Sequence, residues 1–325
     1  MRRIKSSALA TLVALIAMGA GVAPSVAQSY PTRPVKVVVP FAAGGPLDLV
    51  GRAVFEKLSA RLKQPFVLEN RTGAGGNIGT EAVAKAAADG YTLLFVLSGT
   101  LAANPALYRK LPFNVEKDFR PISLLVGSTQ MLVVHPSLPV STLAEFVAFA
   151  KKQPVTYAHA GPGSGGHLAM EYFRSMAGFE AVQVPYRGNA PLVIDLVAGQ
   201  VKAGFVSTAG VIQHVRDGRL KGLAISATKR SPLAPKVPTT AEAGYPDFKL
   251  GTYFVLLAPA GLPDAIAELL EREVRAALAS PDLKEKFRPQ DIEIVGSDAK
   301  TARAFLRADT ALWAKIAKAA NLRVD

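Results

Sequence analysis

The stretch that decides the fold is Val37-Val38-Val39-Pro40-Phe41-Ala42-Ala43-Gly44-Gly45-Pro46-Leu47-Asp48. It reads as a buried strand, a glycine turn and a helix, because apolar residues after the turn recur with the spacing of one helical face. The glycines allow close approach of a ligand, and the unpaired N–H groups of a helix start can hold an anion. With no obvious nucleophile or metal ligand, the stretch indicates binding of a small acid rather than its conversion.

The N-terminal residues predict export. The basic start at Arg2-Arg3 is followed by a short apolar run, and Ala27 ends a small-residue motif that a signal peptidase reads. We therefore predict a signal peptide over residues 1–27 that is cleaved after Ala27, and a periplasmic protein. A membrane anchor is the alternative, but the run is short for a bilayer span. The chain has no cysteine, which excludes disulfides and thiol catalysis.

The charge balance narrows the choice of partners. The formal net charge is +13, which is compatible with nucleic acid, an anionic membrane or acidic small molecules. The lysines and arginines are scattered, without a long basic run or interleaved aromatic residues, so nucleic acid is not an expected partner.

Strands and helices alternate along the chain from Pro34 onward. This pattern predicts an α/β fold with a largely parallel sheet, in which ligands bind beyond the carboxyl ends of the strands. Two strands are predicted over Ile122–Val126 and Met131–Val134, one helix is predicted to end near Ala88, and another is predicted to follow a Ser141 cap. A long apolar strand over Phe248–Ala258 is predicted to cross back to the first domain. The loops expected at strand ends are Ala42–Asp48, Gly73–Gly79, Ser98–Thr100 and Gly161–His167.

Two stretches of the sequence admit a catalytic or cofactor interpretation. The loop Gly73–Gly79 has the wrong spacing for a dinucleotide fingerprint, and the next strand lacks an acid for a ribose, so no cofactor is expected. Ser164 and His167 leave open an exported hydrolase, although a helix cap by Ser164 is the simpler interpretation. The four histidines show no metal-ligand spacing, and no metal is expected. Asp48 is interpreted as a helix cap or a ligand contact.

Several motifs together resemble one family. They are Tyr30-Pro31-Thr32-Arg33-Pro34, Val39–Asp48, Glu69–Gly79, Asp89-Gly90-Tyr91-Thr92-Leu93-Leu94, Asn104-Pro105-Ala106-Leu107-Tyr108, Val184-Pro185-Tyr186-Arg187-Gly188 and Leu256-Leu257-Ala258-Pro259-Ala260-Gly261. From Tyr30 to the C-terminus the chain is similar to the substrate-binding proteins of tripartite tricarboxylate transporters, the Bug type. The resemblance implies a two-domain periplasmic-binding-protein fold of type II. It also implies a small carboxylate ligand and delivery of that ligand to membrane permease subunits.

The resemblance also implies the residues of the site. Ligand binding is expected mainly from backbone N–H groups, hydroxyls and ordered water. From the first domain the implied residues are Phe41, Ala42, Gly44, Gly45, Leu47, Asp48, Gly75, Gly76, Asn77, Ser98 and Thr100, and from the second they are Gly161, Gly163, Ser164, Gly165, His167, Ser207 and Thr208.

Three departures from the family pattern bear on the ligand. Leu47 stands where the family often has Thr, Pro162 replaces a common Asn, and Phe205-Val206-Ser207 lacks an Asp-Asn pair. Without that acid, an ammonium group has no evident counter-charge. We therefore predict a non-amino, partly apolar carboxylate.

The expected architecture has domain 1 over residues 30–127 and 253–325 and domain 2 over residues 128–252. A monomer is expected, and no catalytic step is assigned. A periplasmic protein that reports its ligand to a membrane kinase remains an alternative, since both functions use the same closed cleft.

Overall fold

The structure is a computed structural model, and it describes residues 30–227, 229–248, 250–319 and 322–323. The predicted signal peptide and its cleavage after Ala27 lie outside the described residues. The strands in chain order are β1 Val35–Val39, β2 Phe66–Asn70, β3 Thr92–Leu97, β4 Phe119–Val134, β5 Val155–His159, β6 Ala181–Pro185, β7 Ala203–Ser207, β8 Lys221–Ile225, β9 Gly251–Pro259 and β10 Glu293–Ile294.

Helices occupy most of the connections between these strands. They are α1 Pro46–Leu62, α2 Asn77–Ala84, α3 Ser98–Ala102, α4 Asn104–Leu107, α5 Val115–Asp118, α6 Leu143–Lys152, α7 Gly165–Ala177, α8 Asn189–Val197, α9 Thr208–Arg216, α10 Asp264–Leu278, α11 Pro281–Phe287 and α12 Ala299–Ala319. Short 3₁₀ helices cover Ala74–Gly76 and Arg288–Gln290. An α/β fold is therefore confirmed.

The strands form one ten-stranded sheet in the order β2-β1-β3-β9-β4-β7-β5-β6, with β8 and β10 also paired to β4. We call β1–β3 and β9, with their connecting loops and α12, the first half, and β5–β8 with their loops the second half. Strand β4 pairs with β9 of the first half and with β7 and β8 of the second. It therefore joins the two halves.

The sheet is mixed, and in this respect the expectation of a largely parallel sheet is wrong. The outer strands are parallel, with β1 beside β2 and β3, and β5 beside β6 and β7. The central pairs β3–β9, β9–β4 and β4–β7 are antiparallel. The antiparallel centre arises because β4 and β9 run between the halves, so neither is the end of a strand–helix–strand unit.

Local predictions differ from the structure at three places. The segments 122–126 and 131–134, expected as two strands, belong to the single strand β4. Helix α2 ends at Ala84, before the expected end near Ala88. Helix α6 is capped by Thr142, whose hydroxyl accepts from the Glu145 N–H, whereas Ser141 was the expected cap.

Aromatic side chains hold helices against both halves of the sheet. Phe55 of α1 packs edge-on against Phe95 of β3 with ring centroids 5.4 Å apart, and Phe95 contacts Phe254 of β9 in the same way. In the second half, Phe173 of α7 packs edge-on against Phe205 of β7. All these rings are buried. The starts of α1 and α7 are therefore fixed by well-packed cores behind them.

Candidate ligand-binding cleft

The first glycine turn connects β1 to α1. Gly45 is the N-cap residue in an extended conformation, and Pro46 occupies the first helical turn, where its missing N–H costs nothing. No side chain caps this end by a hydrogen bond. The N–H groups that begin α1 are therefore available to a ligand in the absence of a side-chain competitor.

Asp48 shapes this turn from behind. Its carboxylate is 2% exposed and accepts from the Gly44 N–H at 3.0 Å and from Asn70 Nδ2 at 3.0 Å. Arg52 donates to both of its oxygens, at 2.8 and 3.2 Å. Burial opposes ionisation, but these donors outweigh it and hold the pKa of Asp48 below its usual range. Asp48 is thus an ionised support for the turn, its oxygens occupied by the protein itself.

The second glycine turn connects β5 to α7. Ser164 is the N-cap residue, and its Oγ accepts from the His167 N–H at 3.4 Å. The Gly161 N–H donates to His159 Nδ1 and the Gly163 N–H donates to His167 Nδ1, each at 3.2 Å. Two neutral imidazoles therefore hold the turn, because a ring nitrogen can accept only when it carries no proton.

The histidine environment keeps both rings neutral. Their centroids lie 4.5 Å apart, and both side chains are buried. Burial lowers the pKa of His159, and burial followed by repulsion from His159 lowers the pKa of His167 to about 3. Behind them Glu171 accepts from Tyr157 and forms an ion pair with Arg174. The turn thus rests on a buried polar network that stays in one protonation state at neutral pH.

A cavity of about 30 Å³ lies between the first glycine turn, which belongs to the first half, and the second glycine turn, which belongs to the second half. Helices α1, α7, α8 and α9 all begin at its wall, through their N-cap or first residues. The lining residues are Phe41, Ala42, Gly45, Pro46, Leu47, Leu97, Gln130, Ala160, Ser164, Gly165, Gly166, Asn189, Ser207, Thr252 and Phe254. Among these described residues none carries a charged side chain, so the positive ends of helix dipoles dominate the wall.

The structure brings only part of the predicted site to this cavity. Phe41, Ala42, Gly45, Leu47, Ser164, Gly165 and Ser207 line it. Gly44, Asp48, Gly161, Gly163 and His167 instead lie in or behind the two turns, where their polar groups bond to the protein. Thr208 bonds to Thr129 through their hydroxyls at 2.7 Å. For these six predicted residues that do not line the cavity, including Thr208, contact with a ligand remains a prediction.

The remaining predicted residues lie around the loop that precedes α2. Thr100 Oγ1 and Asn104 Nδ2 both donate to the Gly75 carbonyl, and Asn104 Nδ2 also donates to Asn77 Oδ1 at 2.7 Å. Gly76 packs against Thr100, whose hydroxyl lies 3.0 Å from where a Gly76 Cβ would be. Ser98 accepts from the Tyr253 N–H. These residues therefore stabilise the loops of the first half by hydrogen bonds and packing on the cleft side.

The two halves touch across the cleft through glycines. A Cβ on Gly75 would collide with the Pro162 carbonyl oxygen, and one on Gly163 would collide with Asn104 Oδ1. A Cβ on Gly188 would lie 3.0 Å from Ala42 Cβ. The structure is therefore a closed arrangement in which glycine is required for backbone approach.

Several lining residues were missed from the sequence. Gln130 of β4 donates from Nε2 to Thr252 Oγ1 of β9 at 2.9 Å, and both are buried in the middle of the sheet. Asn189 begins α8 at the cavity. The sequence contains a signal for Asn189, because this residue follows Gly188 at a helix start. It contains no such signal for Gln130 and Thr252, because both lie within strands.

The geometry bears on the chemical alternatives. Ser164 Oγ accepts from the His167 N–H, and the His167 ring accepts from the Gly163 N–H through Nδ1, so the pair is arranged as a helix cap. Within the described ranges, no group of three or more potential ligands could hold a metal ion. No helix among the described residues is long and apolar enough to cross a membrane.

Comparison with known sequences identifies close relatives. The chain is 38% identical over 313 residues to Protein BugT of Bordetella pertussis, covering 95% of this chain and 96% of that protein. It is 34% identical over 292 residues to a protein encoded in the tcbD–tcbE intergenic region of a Pseudomonas strain, covering 89% of this chain and 87% of the relative.

Solved structures agree with this. A Rhodopseudomonas palustris protein determined with adipate superposes with a TM-score of 0.87 at 35% identity, covering 91% of this chain and all (100%) of that one. The periplasmic binding protein BugD gives 0.87 at 33% identity, with coverage of 91% and 100%. MatC of Rhodopseudomonas palustris with bound malate gives 0.85 at 32% identity, with coverage of 88% and 99%. The predicted periplasmic-binding-protein fold is confirmed.

The family profile described as "Tripartite tricarboxylate transporter family receptor" matches residues 50–322 of this chain. That range includes most of α1, both crossing strands and the second glycine turn. The chain therefore belongs to the tripartite tricarboxylate transporter receptor family.

Proposed function

We propose that this protein is an extracytoplasmic solute-binding protein that captures a small non-amino carboxylate and delivers it to a permease of the tripartite tricarboxylate type. One observation carries the proposal: α1, α7, α8 and α9 begin at one cavity whose described lining has no charged side chain. Helix N-termini favour anions, and N–H donors in a water-poor cavity compensate for the lost hydration of a carboxylate.

The donors available in this cavity suit a carboxylate. Free N–H groups at the start of α1, together with the hydroxyls of Ser207 and Thr252, surround the cavity. Each charge-assisted hydrogen bond contributes ~1.5–3 kcal/mol. The relatives solved with adipate and malate, both carboxylates, support the same ligand class here.

An ammonium group has no counter-charge in this cavity. The carboxylate nearest the first turn, Asp48, is occupied by Arg52, Asn70 and the Gly44 N–H. Leu47 and Phe41 add apolar surface to the wall. We therefore infer that the ligand is a partly apolar carboxylate without an amino group.

Binding is proposed to close two domains, 30–127 with 253–325 and 128–252. The proposal is supported by β4 and β9, which cross from one half of the sheet to the other near Gly127–Thr129 and Gly251–Tyr253. A small change in backbone angles there would swing the halves apart and open the cavity. Some predicted ligand residues do not line the cavity, among them Gly44, Gly76, Asn77 and Thr208. We propose that they contribute to binding by supporting the walls of the cavity.

The proposed location and partners follow the family. Relatives include a periplasmic binding protein, which supports a periplasmic location. Export to that compartment is proposed to include cleavage after Ala27. The partners are then the membrane permease subunits, with the receptor acting as a monomer and without a catalytic step. The cap geometry of Ser164 supports binding rather than hydrolysis, because its hydroxyl bonds to the backbone of the helix that it begins.

A thermal-shift screen tests the proposed function. The purified protein is heated with mono-, di- and tricarboxylates and aromatic acids, and with amino acids and the amides of the same acids as matched controls. We expect at least one carboxylate to raise Tm in a concentration-dependent way, because a ligand that binds only the folded state stabilises it by mass action. A flat response to all carboxylates, or a rise with amino acids alone, would overturn the proposal.

A further inference from the structure

A second, smaller cavity lies behind the first. It has a volume of about 10 Å³ and is lined by Ser98, Gly99, Gln130, Gly165, Leu168, Leu250, Gly251, Thr252 and Trp313. Gln130, Gly165 and Thr252 line both cavities. These three residues therefore form the wall that separates the front cavity from the rear one.

The side chain of Gln130 is the part of this wall that fills space. It is 3% exposed, and its Nε2 donates to Thr252 Oγ1 at 2.9 Å. Its backbone is fixed on both sides, since its N–H donates to Ser226 Oγ at 3.0 Å and its carbonyl accepts from the Ser226 N–H at 2.8 Å. The amide is thus held across the passage by a rigid strand.

Helix α7 begins directly on this pair. A Cβ on Gly165 would collide with Thr252 Oγ1 and would lie 2.9 Å from Gln130 Nε2. The N-terminus proposed to bind the carboxylate and the wall between the cavities are therefore in contact. A ligand in the front cavity therefore lies beside Gln130, which lines that cavity.

The rear cavity is suited to an apolar chain rather than to a second carboxylate. Leu168, Leu250 and Trp313 supply apolar and aromatic surface, and all three are buried. Beyond them, Asp309 of α12 hydrogen-bonds Ser98 and Trp313, two residues of this lining. An anionic group placed here would be repelled by the carboxylate that these two lining residues contact.

We propose that Gln130 sets the length of the carboxylate that this protein accepts, because its side chain fills the space between the front cavity and a rear cavity that is by itself too small for an alkyl chain. This inference rests on the proposed carboxylate-binding function. Shortening Gln130 joins the two cavities and admits longer monocarboxylates, while Asp309 continues to exclude dicarboxylates of the same length.

Calorimetric titration of wild type and Gln130→Ala with butyrate, hexanoate, octanoate, adipate and suberate tests this inference. Two additional buried methylene groups give about a tenfold gain in affinity. We expect the affinity ratio of octanoate to butyrate to rise about tenfold in Gln130→Ala, with no corresponding gain for suberate. Adding Asp309→Asn to Gln130→Ala is expected to permit a gain for suberate as well.

The control variants distinguish the effect of the Gln130 side-chain volume from the effect of its hydrogen bond to Thr252. Thr252→Val removes the acceptor but keeps the size of the side chain. Because the Thr252 hydroxyl is also one of the proposed carboxylate donors, this variant is expected to lower the affinity for all these acids alike, so that the ratio of octanoate to butyrate affinity stays as in wild type. If Gln130→Ala does not fold, Gln130→Asn, one methylene shorter, is expected to shift the preference in the same direction by a smaller factor.

Two results would overturn the inference: a wild-type chain-length preference in the folded Gln130 variant, or an equal shift in Thr252→Val. If the proposed function itself is wrong, the wild-type protein will bind none of these carboxylates. That result differs from both results that would overturn the role of Gln130.

Discussion

The buried carboxylate of Asp48 accepts a hydrogen bond from the Gly44 N–H at 3.0 Å, from the base of the first glycine turn. This bond links the first turn of α1 to the loop before it. It therefore fixes the orientation of the free N–H groups next to Gly45. Binding sites made of backbone depend on such supports, since a small shift of the chain moves every donor together.

Replacing Asp48 should therefore weaken both stability and binding. Asp48→Ala leaves the Gly44 N–H and Asn70 Nδ2 without their acceptor, and we expect a loss of ~2–3 kcal/mol in unfolding free energy. Arg52→Gln is the matched control: the Arg52 side chain is 57% exposed, so its loss should cost ~1 kcal/mol or less. Urea denaturation measures both, and equal effects would show that Asp48 acts only through its ion pair.

The pH dependence of the Asp48 effect has a definite sign. Hydrogen bonds in the folded state hold the Asp48 pKa below its value in the unfolded chain. Its stabilising contribution is therefore complete above about pH 4 and is lost as the pH falls through the folded pKa. The stability difference between wild type and Asp48→Ala should shrink below about pH 4, and a difference that grows on acidification would contradict this.

Closure across the cleft can be tested with two glycines of similar backbone conformation. Gly163 has φ +74° and would collide with Asn104 if it carried a Cβ, whereas Gly178 has φ +68° and no atom within 4 Å of that position. Both Gly→Ala variants carry similar backbone strain, of about 1–2 kcal/mol. We expect only Gly163→Ala to reduce ligand affinity, by at least tenfold in calorimetry. Equal affinity in the two variants would show that this contact is not part of the bound state.

Removing one hydroxyl should strengthen binding. Tyr108 Oη is buried and has no hydrogen-bond partner among the described residues, and it lies against Gly75 where the halves meet. Burying an unpaired hydroxyl costs free energy that an open cleft avoids by hydration. Tyr108→Phe is therefore expected to raise affinity about threefold to tenfold.

Tyr186→Phe is the control for this hydroxyl effect. Tyr186 donates to Asp195 at 2.8 Å, so its loss should lower stability without raising affinity. Weaker or unchanged binding by Tyr108→Phe would show that its hydroxyl is satisfied when the cleft is closed.

Asp309 should make the protein less stable at neutral than at mildly acidic pH. Burial raises the pKa of Asp309 to about 6, despite hydrogen bonds from Ser98 and Trp313. The folded state then binds the proton more tightly than the unfolded state, so this contribution to stability decreases as pH rises from about 4 to 6. Asp309→Asn is expected to be more stable than wild type by ~1–2 kcal/mol at pH 8 and equal to it near pH 4. A difference independent of pH would contradict the assignment.

The helix starts at the cleft could be predicted because their cause is local. Glycine turns, Pro46 and the apolar periodicity after them define the beginning of α1, and Ser164 with Gly165 does the same for α7. The free N–H groups follow from any helix start. Single short stretches of sequence therefore predict both helix starts, and binding of an anion by their N–H groups is the proposed function of these turns.

The middle of β4 could not be predicted, since its cause is not local. Residues Gly127-Ser128-Thr129-Gln130 read as a polar break between two strands, yet Ser128 and Gln130 are each 3% exposed. They are buried because β9 and β7 pair with β4 from opposite sides. Gln130 and Thr252 meet only through that pairing, so neither strand pattern alone predicts their contact.

Backbone N–H donors of both halves are proposed to bind one carboxylate group. The most direct measurement is a calorimetric titration of the wild-type protein with the carboxylate that raises Tm most, with its primary amide and with its α-amino derivative. We predict one-to-one binding of the carboxylate, and binding at least tenfold weaker for the other two. Equal affinity for the amide, or tighter binding of the amino derivative, would contradict the account.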